Sequence, residues 1–310
     1  MKAVRLYAYG GPENLKFDED VPDPVPGGNG VLIEAAAASV NPIDWKIRSG
    51  ARQKDFPLSL PAILGRDVSG IVRAVGTAVR GFAIGDRVLA TADATYAELV
   101  VVEAPVVTHL PEGLDLTDAA AIPLVVLTGD QLVRVAAKVQ HGQTVLVSGA
   151  LGSVGRAAVH SAKKLGAHVI AGVRASQLSR AQSLGAAELL ALDDDAAIAR
   201  LASVDAVADT VGGETAAALF SKVKDGGTFA YASAIPAATA QRNPAVTITR
   251  VFARPDASKV REFADDIRDR KFVLPIGRRM PLRDAGEAQT LVEKGGAAGK
   301  VILLSGVSAR

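Results

Sequence analysis

Residues Thr144–Val159 read TVLVSGALGSVGRAAV. The run Thr144–Ser148 is short and apolar, as in a strand buried on both faces. Gly149, Gly152 and Gly155 follow, and Val154–Leu165 has helical periodicity ended by Gly166. A strand, a glycine-rich turn and a helix in direct succession suit one chemical task. A pyrophosphate can reach backbone N–H groups at a helix N-terminus only where side chains do not block it. Gly152 allows the backbone to come close, and Gly155 allows the helix to pack on the strand. Ala150 stands where the first glycine of G-x-G-x-x-G is usual, with Gly149 just before it. The candidate contacts are therefore Gly149, Ala150, Gly152, Ser153, Val154 and Gly155.

Toward the C-terminus the pattern repeats. Strands are expected at His168–Val173, Glu188–Leu192, Asp205–Asp209, Thr228–Ala232 and Val246–Phe252. Helices are expected between them at Ser176–Leu184, Ala196–Ala202 and Thr215–Val223. Strands alternating with helices of this length make parallel βαβ units, and the run predicts a doubly wound six-stranded sheet. Just upstream, Asp118–Ile122 and Leu127–Val139 read as helices, with Thr117 and Thr128 near their starts.

Before residue 119 the texture differs. Short strand-like runs, Val31–Ala37, Asp67–Val75, Asp86–Ala90 and Ala97–Val102, are separated by Gly, Pro and Asp turns, which suggests a compact barrel-like β unit. After Pro255 a charged helix, Ser258–Lys271, is followed by Met280–Leu282, a helix at Asp284–Glu293, and Lys300–Leu304. These late β segments do not extend the alternating sheet and are expected to complete the N-terminal β unit.

The end of the second alternating strand selects the cofactor. An acidic residue there binds the ribose hydroxyls of NAD. Here the position holds Arg174, with Ser176 beside it and Arg180 one helical turn later. A cation cannot accept hydroxyl hydrogen bonds but binds a 2′-phosphate, so the three donors favour NADPH over NADH.

Composition narrows the chemistry. The chain has 310 residues, 49% hydrophobic, 22% charged, with net charge +2 and no cysteine. A near-balanced charge offers no argument for nucleic acid or an anionic membrane. Zero cysteine excludes disulfides, thiolate catalysis, iron–sulfur clusters and cysteine-ligated zinc. No stretch approaches about 18 uninterrupted apolar residues and no signal peptide is evident, so a cytoplasmic protein is expected. His109, His141, His160 and His168 read as surface or packing residues.

Further motifs carry a resemblance. They are MKAVRLYAYGGPENL at the start, Asn41-Pro42-Ile43-Asp44 with Lys46 and Arg48-Ser49-Gly50, and Gly65-Arg66-Asp67-Val68-Ser69-Gly70. Gly85-Asp86-Arg87-Val88, Tyr96-Ala97-Glu98, Leu127-Thr128-Gly129, Asp209-Thr210-Val211-Gly212-Gly213 and Gly299-Lys300-Val301 complete the set. In order and spacing the chain resembles the zinc-independent, quinone oxidoreductase-like branch of the medium-chain dehydrogenase/reductase superfamily. The resemblance implies an α/β protein: a GroES-like β-barrel domain from residues 1–118 and 255–310, and a Rossmann domain from residues 119–254. It implies an active-site cleft between them and a homodimer paired through the last Rossmann strand. Val211 and Ser233 join the candidate cofactor contacts.

Zinc-dependent members of the superfamily place their catalytic ligands where this chain has Asn41, Arg66 and, near the third position, Leu124, so no metal is expected. Without a Lewis acid, hydride transfer suits acceptors that are already electron-poor. A quinone is the first expectation. A conjugated enal or enone is the alternative, and an NADPH-binding protein with a non-enzymatic role is a further one. The resemblance puts the nicotinamide between Thr128 and a loop containing Asn41. Asn41 is expected to hydrogen-bond the carboxamide or the acceptor oxygen. Asp44 either orders that loop or transfers protons. Trp45 forms an aromatic wall or simply packs. Thr128 either contacts nicotinamide or caps a helix. Asp67 is expected to fix the Gly65–Gly70 turn.

Overall fold

A computed structural model describes residues 1–235 and 243–306. The chain divides into two compact units, Met1–Leu124 with Pro255–Arg310, and Val125–Arg254. The division falls after Leu124 rather than at residue 118. The reason is packing: Ala120 and Ala121 are fully buried against Ala37 and Ile302 of the first unit.

The second unit holds a six-stranded parallel sheet. Its order is Glu188–Ala191, His168–Val173, Thr144–Ser148, Val204–Asp209, Val223–Tyr231, Thr247–Arg250. The chain thus starts in the middle, winds to one edge, then crosses and winds to the other. This is the doubly wound order anticipated from the alternation, and it puts the topological switch point between Thr144–Ser148 and Val204–Asp209. Strand alternation divides the core. Val145, Val147, Val169 and Ala171 face one layer with Leu132, Ala158 and Ala162. Leu146, Ile170, Val207 and Phe229 face the other with Leu219 and Phe220. Each Val, Leu, Ile or Phe so buried contributes roughly 1.5–3 kcal/mol. Part of the loop Ser233–Asn243 lies outside the described residues.

Several elements differ from expectation. The helix expected at Leu127–Val139 begins at Pro123, runs as α-helix to Gln131 and continues as π-helix over Leu132–Ala136. Proline is a good first helical residue because its missing N–H would have no intrahelical partner. Thr128 is therefore interior to the helix and is not its cap. The Ser176–Leu184 helix is broken into 3₁₀, α and 3₁₀ turns, Ala175–Gln177, Leu178–Ala181 and Gln182–Leu184. The continuous run Asp118–Ala136 is long and apolar enough to cross a bilayer by composition alone, yet 78% of its window is buried in the protein. That burial is the pattern of a core helix.

In the first unit a larger sheet runs Ile276–Pro281, Lys300–Leu304, Gly30–Val40, Asp67–Val75, Arg87–Thr91, Val107–His109, with Leu99–Glu103 also paired to Gly30–Val40. The late strands do join the N-terminal ones: Lys300–Leu304 lies antiparallel to Gly30–Val40 with Val301 opposite Val40. The expected strand Met280–Leu282 is instead Ile276–Pro281, and Leu282 begins a 3₁₀ turn. A smaller sheet joins Leu15–Asp18, Ala3–Leu6 and Ala62–Ile63. His109 packs as expected, stacked on Phe82 and 3.1 Å from Asp86.

The clearest departure is at residues 41–48. These are not a loop. Pro42–Arg48 is an α-helix with Asn41 at its N-cap.

Candidate active site

In the second unit the candidate cofactor residues gather at the carboxyl ends of the central strands. Gly152 is the N-cap of the helix Ser153–Lys164, whose first-turn N–H groups have no intrahelical partner. Gly149 has a φ of +62°, and a Cβ there would lie 2.5 Å from Thr210 Oγ1. A Cβ on Gly155 would lie 2.2 Å from the Gly149 carbonyl oxygen. The turn is thus closed to side chains at Gly149 and Gly155 and tight at Gly152, where a Cβ would lie 3.2 Å from the Gly149 oxygen, while Gly152 itself is exposed. This shape fits a pyrophosphate at the helix N-terminus. Gly129, beside Thr128, has a parallel need: a Cβ there would meet Ala157 Cβ at 2.6 Å on the same helix.

Asp209 holds this end together. Its Oδ1 accepts from Ser148 Oγ at 2.6 Å, and its Oδ2 accepts from Gly212 N at 2.9 Å. Ser148 Oγ in turn accepts from Thr210 N, and Thr210 Oγ1 donates to the Ser148 carbonyl. Burial pushes the Asp209 carboxyl up, against the hydrogen bonds from Ser148, Val211 and Gly212. Val211 is half exposed beside the turn, and Gly213 N donates to Ala234 O, bringing Val211 and Ser233 to neighbouring strand ends.

Arg174, Ser176 and Arg180 are exposed at the end of His168–Val173 and on the turns after it. Asp193 Oδ1 accepts from Ala175 N at 2.6 Å and shapes that turn. One contributor was missed in the sequence. Arg156, half-buried on the helix after Gly155, donates Nε to the Leu151 carbonyl at 3.1 Å. Burial, and then the like charge of Arg180, lower its guanidinium from its usual range. Two cations therefore interact here, and no described carboxylate pairs with either. The signal was available: a charged residue directly after the last glycine of the motif.

In the first unit the structure brings together Asn41, Asp44, Asp67, Tyr96 and Lys300, all buried. Asp67 does not fix its own turn. Its Oδ2 accepts from Ser39 Oγ and Asn41 Nδ2, both at 2.7 Å, and its Oδ1 accepts from Leu124 N at 2.7 Å. Lys300 Nζ donates to Asn41 Oδ1 at 2.8 Å and Val40 O at 3.2 Å, and stands 3.7 Å from Asp67. A cation on Oδ1 and a carboxylate on Nδ2 leave only one orientation for the Asn41 amide. That amide, expected to reach cofactor or acceptor, is committed inside the protein and only 2% exposed.

Asp44 is the third residue of the Pro42–Arg48 helix. Its Oδ2 accepts from Asn41 N at 2.8 Å and from Tyr96 Oη at 2.9 Å, so it orders the helix start. Its Oδ1 is buried without a partner. Burial pushes its carboxyl up to about 7, against the Asn41 and Tyr96 hydrogen bonds. Burial and the Asp44 charge push the Tyr96 phenol well above its usual range. Burial also lowers the Lys300 ammonium, against the pull of Asp67 and Asp44. Trp45 is half-buried, with Lys46 Nζ 5.5 Å from its ring centre.

Comparison with known proteins places these features. Residues 27–112 match the alcohol dehydrogenase GroES-like domain family, and residues 184–303 match the zinc-binding dehydrogenase family. A quinone oxidoreductase of Sus scrofa is 42% identical over 172 residues, which is 55% of this chain and 52% of that protein. The chain thus matches about half the length of that curated relative. A solved mycobacterial protein complexed with NADPH is 32% identical with a TM-score of 0.84, covering 98% of this chain and 99% of the other. A solved NAD-dependent alcohol dehydrogenase is 30% identical with a TM-score of 0.85, covering 99% and 100%.

A zinc ion does not fit the residues at the ligand positions. Asn41 Oδ1 already faces the Lys300 ammonium, Arg66 carries a positive charge paired with Asp93, and Leu124 has no donor. Among the described residues no group of three His, Cys, Asp or Glu is placed to hold a metal.

Proposed function

Since the chain belongs to the medium-chain dehydrogenase/reductase superfamily, in its quinone oxidoreductase-like branch, we propose that it is an NADPH-dependent reductase of quinones that works without a metal. When bound, NADPH supplies the hydride that takes a quinone to its hydroquinone. The residues of this chain supply binding and orientation. The first turn of Ser153–Lys164 donates backbone N–H groups to the pyrophosphate, and Asp209 keeps the neighbouring loop clear of it. Arg174, Ser176 and Arg180 take the 2′-phosphate, with Arg156 as a further cation.

The observation that carries this reading is the strand end itself, which holds Arg174 instead of an acid, with Ser176 and Arg180 exposed on the turns that follow. Structural relatives use either nicotinamide cofactor, so the chain's own charges decide. Cations gathered at a strand end without a described counterion are stabilised by an incoming anion. We further propose a dimer through Thr247–Arg250, which pairs on one side with Val223–Tyr231.

Purified protein is expected to oxidise NADPH with 1,4-benzoquinone, faster than NADH, and to be indifferent to a zinc chelator. A preference for NADH, or loss of activity with the chelator, overturns the proposal. A panel of conjugated enals and enones, run beside the quinone, decides the acceptor.

A further inference from the structure

In the second unit's sheet, His168–Val173 and its outer neighbour Glu188–Ala191 end side by side. They pair in parallel, with Val173 opposite Ala191. The pairing runs one residue further, since Leu192 N donates to the Val173 carbonyl at 2.7 Å. Continued by two residues, this register sets Asp193 across from Ala175, between Arg174 and Ser176. The hydrogen bond agrees: Asp193 Oδ1 accepts from Ala175 N at 2.6 Å. Leu192 packs toward Gly172, where a Cβ would lie 2.9 Å from Leu192 Cδ2, and Asp193 beyond it is exposed, as are Arg174, Ser176 and Arg180. The next acid has a different task. Asp194 Oδ1 accepts from Ala196 N at 2.9 Å and Ala197 N at 3.0 Å and caps the helix Asp195–Arg200. The described partner of Asp193 is a backbone N–H, not a cation. The amide oxygen of an asparagine would satisfy that N–H equally well. What the acid adds at residue 193 is a negative charge, on the same turn as Arg174 and Ser176.

We propose that Asp193 is a specificity-determining residue for the cofactor: its carboxylate opposes a phosphate held by Arg174 and Ser176 and so narrows the margin by which NADPH is preferred over NADH. The inference rests on the function proposed above, in which the 2′-phosphate is taken at this strand end. Neighbouring strands lie about 4.8 Å apart, so charges at facing strand ends fall within the Debye length of about 8 Å at physiological ionic strength. A phosphate monoester carries a charge of about −1.5 to −2 at neutral pH. Repulsion across that spacing at an exposed site amounts to about threefold in affinity at about 0.15 M salt and about tenfold at about 0.01 M. The uncharged ribose hydroxyl of NADH meets no such repulsion. Arg174 and Asp193 therefore act against each other, and the ratio of the two cofactor affinities reports their balance.

The test is calorimetric titration of the full chain with NADPH and with NADH, without acceptor, at about pH 7.5 and at both salt concentrations. Asp193→Asn keeps an acceptor for Ala175 N and removes the charge. It is expected to tighten NADPH about threefold at about 0.15 M salt and about tenfold at about 0.01 M, with NADH within about twofold throughout. Asp193→Ala removes the charge and the acceptor together. It is expected to weaken both cofactors through a loosened turn, while the NADPH-to-NADH affinity ratio rises as it does in Asp193→Asn. A purely structural residue would move both cofactors alike and leave the ratio where it was. An unchanged ratio in either variant, or a rise of equal size at the two salt concentrations, overturns the inference. If the wild type prefers NADPH and oxidises it with a quinone, yet Asp193→Asn leaves the ratio unmoved, the inference falls and the proposed function stands. If the wild type binds NADH more tightly, yet Asp193→Asn shifts the ratio toward NADPH, the inference stands and the proposed cofactor preference falls.

Discussion

At the carboxyl ends of the second unit's sheet, backbone does most of the work, whereas under the Pro42–Arg48 helix of the first unit side chains do it. In the second unit, Gly149, Gly152 and Gly155 keep space free so that N–H groups face outward, and Asp209 supports them from behind. In the first unit, Asp67, Asn41, Lys300, Asp44 and Tyr96 fill a buried interior with charge and amide groups drawn from distant parts of the chain. The contrast teaches what each can tolerate. A backbone site is broken by adding an atom. A buried polar knot is broken by removing one.

The largest effect is expected from removal. Asp67→Ala strands the buried Lys300 ammonium and the Asn41 amide, and breaking such a pair from one side costs about 3–5 kcal/mol. Urea unfolding measures this, with Arg66→Ala as the contrast: its exposed pair with Asp93 is worth about 1 kcal/mol or less. Equal losses would end the distinction between knot and surface. Addition comes next. Gly155→Ala puts a Cβ 2.2 Å from the Gly149 oxygen and is expected to weaken NADPH about a hundredfold by calorimetry, with a lower unfolding temperature. Unchanged affinity would show that the turn does not hold the cofactor.

Smaller again is the effect of charge at the strand end. Arg174→Asp is expected to weaken NADPH about tenfold while leaving NADH within about twofold, read from KM for each cofactor. A matching loss for both would remove Arg174 from 2′-phosphate binding. The last effect is graded by pH and accumulates over a span of more than three pH units. The Asp44 carboxyl has a folded-state midpoint of about 7 against 3.8 in an unfolded chain. The folded protein keeps a proton that the unfolded chain has already released. The Asp44 contribution to stability is thus complete below 3.8 and is lost as pH rises toward about 7, at about 1 kcal/mol per pH unit. Asn41, Tyr96, Asp67 and Lys300 are the polar and charged groups acting on it. Denaturant titrations across this range, compared with Asp44→Asn, isolate the slope. A slope identical in the variant would assign it to other groups.

The second unit was largely legible in advance. Thr144–Ser148 and His168–Val173 have the bounds that their apolar runs suggested, because a strand buried on both faces leaves a continuous apolar signature. The first unit was legible in its strands but not in its site. Asn41-Pro42-Ile43-Asp44 carries the marks of a helix start, an Asn cap and a first-position proline, yet a short helix shows little periodicity by which to recognise it. Asp67 and Lys300 are far apart in the chain, and nothing local to either residue announces that strand pairing brings Lys300–Leu304 beside Gly30–Val40.

The sequence by itself determined the doubly wound sheet, the glycine turn and the absence of an acid at residue 174, because each rests on neighbours within one strand–turn–helix unit. Only the tertiary structure decided that Asn41 is occupied by Asp67 and Lys300, that Arg156 is half-buried with its Nε on the Leu151 carbonyl, and that Asp44 lines a cavity with one oxygen unpartnered. Those outcomes depend on which side chains burial forces into contact, and desolvation acts only once distant segments have closed over a group.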